Sequence, residues 1–236
     1  MKVFCVSAHP EPKSFNTALL KRGLDQLRRN GHEVDHSDLY AMAFNPVASA
    51  DDFQSRTDPD YLVYALEQRQ NFKAGTLASD ISGEVEKLIR CDLLILHFPL
   101  YWFSVPAILK GWIDRVMISG LTYGGRRFYD QGGLKGRKAL LTFTLGGREH
   151  MFGPDSIHGP IEDMLRPLIR GSLHYVGLEV LDPFIGWHVP YISDEARAAI
   201  LDDYAARLGK IETEEGIGPP SLAGFDETFN PIRRSD

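Results

Sequence analysis

Cysteine is almost missing from this 236-residue chain: only Cys5 and Cys91 occur, with no C-x-x-C spacing. That excludes a disulfide framework and a thiolate metal cluster as the basis of the fold. Cys5 falls inside an apolar strand pattern and Cys91 just before another, so both read as buried, reduced thiols. Long apolar runs are absent too, none approaching the about 20 residues a bilayer span requires. The first residues, M-K-V-F-C-V-S-A, read as a strand and not as a signal peptide, which makes the cytoplasm the default expectation. Lys and Arg never run longer than a pair, and the formal net charge is −6. A surface that tracks nucleic-acid phosphates needs clustered positive charge, so nucleic acid is not expected as a partner. Neither G-x-G-x-x-G nor a Walker loop is present. His150 and His158 have no carboxylate or cysteine at ligand spacing, so no metal site is expected.

What is present is an alternation of strand-length apolar runs with stretches of helical period. Strands are expected at Lys2–Ala8, Glu33–Leu39, Leu93–Phe98, Lys138–Leu145 and Glu179–Phe184. Helices are expected from about Ser14 to Asn30, around Tyr61–Asn71, at Asp80–Arg90, from Pro106 to about Ile118, at Ile161–Val176 and at Asp194–Glu212. The run L-L-I-L-H-F at 93–98 is apolar throughout, as in a strand covered on both faces. Five such alternations specify an α/β fold, a doubly wound five-stranded parallel sheet with helices on both faces. One domain is expected over residues 1–211, followed by an irregular tail at 212–236. Asp114 and Arg115, adjacent on the Pro106 helix, read as a solvated or interface ion pair.

In open parallel sheets ligands bind beyond the carboxyl ends of the strands. The loop His9-Pro10-Glu11-Pro12-Lys13-Ser14-Phe15-Asn16 there opens a helix, whose free N–H groups and dipole favour an anion. Taken alone, Ser14 reads equally as a plain N-cap. The loop Phe98-Pro99-Leu100-Tyr101-Trp102-Phe103-Ser104-Val105-Pro106 encloses three aromatics between prolines, a wall for a flat ligand or a cover for the next helix. The loop Thr144-Leu145-Gly146-Gly147 allows close backbone approach, or is a simple turn. Three such loops on one rim make a phosphate end, an aromatic wall and a glycine floor, which fits a flavin.

The pieces A-H-P-E-P-K-S-F-N, D-L-Y-A-M-A-F-N-P, F-P-L-Y-W-F-S-V-P-A-I-L-K-G-W-I-D-R-V, G-G-R-E-H-M-F and I-H-G resemble the NAD(P)H:quinone oxidoreductase (DT-diaphorase) family and its bacterial members, of flavodoxin-like fold. The likeness runs from the start to about Leu208. It implies a homodimer with one FAD per subunit, active sites at the interface, and two-electron hydride transfer from NAD(P)H to quinone-type acceptors by a ping-pong mechanism. It places His9, Ser14, Phe15, Asn16 and Ala18 at the FAD phosphates and ribityl chain, and Pro99, Leu100, Trp102 and Phe103 along the isoalloxazine. Thr144, Leu145, Gly146, Gly147 and Phe152 would meet its other edge, with Arg197 and Leu201 toward the adenine. Tyr123, Phe128 and Tyr175 would reach into the partner's pocket and face the catalytic His158, with Trp102 and Phe103 also touching substrate. Phe152 stands where the family carries a tyrosine and cannot donate a hydrogen bond, so of the family's two-residue charge relay only His158 is present. Gly125 and Leu145 replace a second tyrosine and a threonine, implying a wider, more apolar pocket. Two other readings are compatible with the same residues: a flavin-binding regulatory protein of a potassium-efflux system, and a one-electron flavodoxin-like carrier.

Overall fold

The computed structural model describes residues 1–232. Its parallel sheet is built from β1 (Lys2–Ser7), β2 (Glu33–Asp38), β3 (Leu93–Pro99), β4 (Lys138–Thr144), β5 (Glu179–Val180) and β6 (Phe184–Gly186). The order is β2-β1-β3-β4-β5, with β6 also paired to β4. β5 and β6 are two halves of the fifth strand expected from the sequence. Glu179 aligns with Lys138 and Phe184 with Thr142, so the register slips by one residue between them. Pro183, which has no N–H for the ladder, lies in that interruption. The chain passes from β1 outward to β2 and returns to β3 on the other side of β1. That reversal opens a crevice at the carboxyl ends of β1 and β3.

Side-chain alternation sends Phe4, Val6, Leu94, Leu96, Leu141 and Phe143 to one face of the sheet. There they meet α3 (Ser79–Arg90), α4 (Ala107–Val116) and α5 (Ile161–Leu168). Val3, Cys5, Leu93, Ile95 and Leu140 face the other way, against α1 (Phe15–Arg29) and α6 (Asp194–Leu208). Both cysteines are buried and free, and desolvation pushes each thiol up to about 12. Ser14 caps α1 by accepting the Thr17 N–H at 3.1 Å. The remaining helix, α2 (Tyr64–Ala74), ends on Gly75 in the left-handed region at φ 69°; it starts and stops about three residues later than its sequence pattern suggests.

Two further differences have local causes. The helix expected to run to Val176 stops at Leu168. Pro167 removes one backbone donor there, and a π-type turn over Ile169–Leu173 carries the chain on. The Asp114–Arg115 ion pair does not form. Neighbouring helical residues point about 100° apart, and these two diverge accordingly. Asp114 binds Lys110 one turn away at 2.6 Å. Arg115 turns inward, only 3% exposed, and pairs with Asp52 and Asp80, each at 2.7 Å.

The tail returns along the sheet edge, where Ile217 and Val180 exchange backbone hydrogen bonds of 2.8 and 2.9 Å. It then crosses the loop after α4: the Asp130 carboxylate accepts from Ser221 Oγ at 2.9 Å, and Arg126 Nη1 donates to the Glu227 carbonyl at 2.9 Å. Positions 233–236 of the expected tail lie outside the described residues.

Candidate active site

Three chain segments close on one rim, and the side chain of Asn16 joins them. Its Nδ2 donates to the Phe98 carbonyl at the end of β3 and to Thr144 Oγ1 at the end of β4, both at 3.0 Å. Leu100 N–H adds a backbone link to the Thr144 carbonyl at 2.9 Å. The three loops bound a cleft of about 430 Å³ lined by His9, Ser14, Phe15, Asn16, Pro99, Leu100, Thr144, Leu145, Gly146 and Arg197. Tyr101, Val189 and Pro190 also line it. Tyr101 belongs to the aromatic loop marked in the sequence, though no contact was assigned to it; Val189 and Pro190 were missed, because the chain returns to the rim only after β6.

At one end α1 presents its first turn. Thr17 N–H is taken by the Ser14 cap and Ala18 N–H by the Ser14 carbonyl, which leaves the amides of Phe15 and Asn16 for a ligand. His9 Nδ1 accepts from the Glu11 N–H at 3.0 Å. Its proton therefore sits on Nε2, where it can be donated. Burial pulls the His9 pKa down, which keeps the ring neutral at pH 7.

On the floor, the carbonyls of Leu145, Gly146 and Gly147 are all engaged by the segment that follows β6. Val189 N–H reaches the first, His188 Nδ1 the second at 2.6 Å, and His188 N–H the third. Held from behind in this way, the loop leaves the Gly146 and Gly147 amides without an acceptor among the described residues. The two glycines differ in what surrounds them. A Cβ on Gly147 would sit 2.8 Å from the Phe152 ring, so that glycine makes room for Phe152. A Cβ on Gly146 would come no closer than 3.6 Å to any protein atom, so nothing within the chain requires its smallness. Asn16 Oδ1, fully buried, has no partner. Open amides, an orphaned acceptor and a glycine facing open space suit a polyhydroxyl, phosphate-bearing ring ligand such as a flavin nucleotide.

The wall is strained. Tyr101 and Ser104 exchange hydrogen bonds of 3.0 and 2.9 Å around Trp102 and Phe103. Both central residues are left-handed, at φ 50° and 56°. Trp102 is 96% exposed. Phe103 packs against His158 (ring centroids 5.3 Å) and Phe152 (6.3 Å), and Phe152 against His158 (4.9 Å) and Trp187 (5.2 Å). Phe152 lies against Gly147, the residue after Gly146 of the cleft floor; Trp102, Phe103, Gly147, Phe152 and His158 stand beside the cleft and are not part of its lining. Trp187 had no local signal in the sequence, because the ring it meets, Phe152, comes from a different loop.

Ala18 is exposed on α1, and Leu201 packs against the second core face without lining the cleft. Tyr123, Phe128 and Tyr175 form their own aromatic group. Phe128 stacks on Tyr175 at 5.4 Å, Tyr123 lies 5.8 Å from Tyr175, and Phe229 of the tail closes over Phe128 at 5.0 Å. Tyr123 and Tyr175 border a separate cleft of about 320 Å³, which shares no residue with the first.

Known proteins place this arrangement. A family described as flavodoxin-like fold matches residues 1–210. The mouse protein named ribosyldihydronicotinamide dehydrogenase [quinone] is 44% identical over 92% of this chain and 94% of its own. Rat NAD(P)H dehydrogenase [quinone] 1 is 38% identical over 97% of this chain and 84% of its own. Among solved structures, a candidate quinone reductase from Klebsiella pneumoniae superposes with a TM-score of 0.90 at 37% identity, covering 95% of this chain and 91% of that one. The NAD(P)H:quinone oxidoreductase from Methanothermobacter marburgensis gives 0.70 at 27% identity, over 90% of this chain and 97% of that one. The chain belongs to the NAD(P)H:quinone oxidoreductase family of flavodoxin-like proteins.

Proposed function

We propose that the protein is an FAD-dependent NAD(P)H:quinone oxidoreductase that works as a cytoplasmic homodimer. One observation carries the reading: the Asn16 bridge that draws the α1 amides, the Leu100 loop and the Gly146 floor around a single cleft. Bound flavin would supply the two-electron chemistry, taking hydride from a dihydronicotinamide and passing it to a quinone. The amides of Phe15 and Asn16, with His9 Nε2–H, bind the phosphate end. Gly146 and Gly147 address the heteroatoms of the ring edge. Val189, Pro190 and Arg197 line the same cleft beyond the α1 residues, and this added lining supports a dinucleotide over a mononucleotide.

Donor and acceptor would take one position in turn, beside the wall of Trp102 and Phe103, which is the ping-pong order. That wall would supply orientation by holding each reactant flat. His158 would turn a donor toward the edge of a bound flavin, where negative charge has to be stabilised. Phe152 has no hydroxyl for that task, so His158 and the glycine amides carry it. Removing one such donor commonly costs ~3 kcal/mol, about 100-fold in rate.

The separation of Tyr123, Phe128 and Tyr175 from the cleft supports a site completed by a second copy. A mixing experiment tests this. Refolding a His158→Ala chain together with a Tyr175→Ala chain produces mixed dimers, each with one intact composite site, about a quarter of all sites for random C2 assortment. Activity recovered above that of either variant alone supports the shared site; no recovery removes it. The flavin reading is tested by releasing and identifying the bound chromophore, then following menadione reduction with NADH, NADPH and ribosyldihydronicotinamide. Protein that neither carries nor takes up flavin would end the proposal.

A further inference from the structure

Beneath the cleft a row of polar side chains crosses the sheet. Ser7, His97 and Thr142 are neighbours in register on β1, β3 and β4, and each is at most 3% exposed. They continue the face that is otherwise apolar, with Cys5, Ile95 and Leu140 one step earlier on each strand. A polar row in that place needs a reason, because burying such groups costs free energy unless they are paired. Ser7 Oγ meets His36 Nε2 at 2.9 Å, and Thr142 Oγ1 meets the Tyr204 hydroxyl at 3.1 Å. His97 Nε2 lies 2.8 Å from the backbone oxygen of Asn16. A carbonyl only accepts, so His97 donates through Nε2–H. Its Nδ1 then has no proton, and the structure gives it no partner.

That bond is the second tether on Asn16, the first being the side chain's grip on Phe98 and Thr144. The oxygen that His97 holds belongs to the same residue that lines the cleft with an orphaned Oδ1. It also lies in the first turn of α1, beside the open amides. We propose that His97 is a positioning residue for the flavin: its buried Nε2–H fixes the Asn16 backbone, and so aims the Asn16 side chain and the α1 amides at the ligand. This rests on the flavin reading above, and it assigns His97 no contact with flavin or substrate. Burial, opposed by the bond to Asn16 and helped by the neighbouring His36 and His9, pulls the His97 pKa down to about 4, so the ring stays neutral at pH 7. The tether therefore acts as an uncharged donor.

Three variants decide the matter: His97→Leu removes the donor, His97→Asn shortens it, and His97→Gln carries an amide N–H at about the reach of imidazole Nε2. FAD is titrated by fluorescence into flavin-free protein, and the melting of the same flavin-free samples is followed by circular dichroism. The wild type sets the reference. Leucine and asparagine are expected to raise the FAD dissociation constant about tenfold or more, as loss of one buried hydrogen bond would. Glutamine is expected to stay within about threefold of wild type. A purely structural His97 would instead make affinity follow melting temperature, with no special rescue by glutamine. If leucine and glutamine bind FAD alike, the inference fails; should leucine not fold, the asparagine and glutamine pair decides by the same criterion. A wild type that binds no FAD ends the flavin reading and this inference with it. A wild type that binds, with variants that bind equally, ends this inference alone.

Discussion

Replacing Trp102 with asparagine should make the flavin-free protein more stable while weakening its site. The turn Tyr101–Ser104 has both central residues at positive φ, the geometry for which Asn-Gly is preferred. A side chain with a Cβ costs roughly 1–2 kcal/mol there. Trp102, 96% exposed, recovers almost none of that through burial in the chain. Asparagine tolerates the left-handed region, whereas alanine retains the steric penalty, so comparing the two separates backbone strain from loss of the indole. Trp102→Asn is expected to gain about 1 kcal/mol in denaturant unfolding of flavin-free protein, or roughly 2–4 °C in a domain of this size. Trp102→Ala should change little. Phe103→Gly should also show little gain, because relief of strain is offset by lost packing on Phe152 and His158 and by the about 0.5–1 kcal/mol that glycine costs in the unfolded chain. Both Trp102 variants should bind flavin and quinone more weakly, measured by fluorescence titration and menadione kinetics. If Trp102→Asn is no more stable than Trp102→Ala, the turn holds no strain and the reasoning is wrong.

Gly146→Ala should leave flavin-free stability within about 0.5 kcal/mol of wild type yet weaken FAD binding. Gly147→Ala should destabilise even without flavin, because its Cβ would lie 2.8 Å from the Phe152 ring; parallel melting and FAD titration separate the two. Asp52→Ala strips Arg115 of its most buried partner and should cost about 3–5 kcal/mol in urea unfolding; a loss below 1 kcal/mol would mean that Asp80 and the Asn45 carbonyl suffice. Acid should destabilise the protein well before its carboxylates titrate. His97 titrates near 4 when folded and near 6.5 when unfolded, so from about pH 6.5 down to about 4 only the unfolded chain takes up that proton, and stability falls by up to about 1.4 kcal/mol per pH unit. Burial lowers His9, His36 and His174 as well, adding in the same direction. His97→Gln should flatten urea midpoints over that range, and an unchanged pH profile would contradict it.

The fold was legible because period and length agree along most of the chain. The run at 93–98 could only be a strand buried on both faces, and Ser14 and Asn30-Gly31 mark both ends of α1 in local chemistry. Reading failed where a distant partner sets the outcome. Arg115 looked solvated because its partners, Asp52 and Asp80, lie 63 and 35 residues away. The helix through 161–176 kept its apolar period past Pro167, and periodicity alone does not register a missing backbone donor. The split fifth strand is the same kind of event, since a one-residue slip leaves composition unchanged.

The site shows the same division between what is local and what is assembled. Loop chemistry alone marks Ser14, Asn16, Leu100 and Gly146 as candidates, because prolines, a cap and paired glycines are unusual at strand ends. It does not reveal that Asn16 is the joint between those loops, since that role depends on Phe98 and Thr144 standing 3.0 Å from one amide nitrogen. Nor does it distinguish the two glycines, one needed by Phe152 and the other by nothing in the chain. The joint's own support, His97, sits inside the most apolar strand of the sequence, where a histidine reads as an isolated polar intrusion. Its meaning appears only once α1 is laid across β3, so that a buried imidazole with a single acceptor in reach faces the residue that organises the cleft.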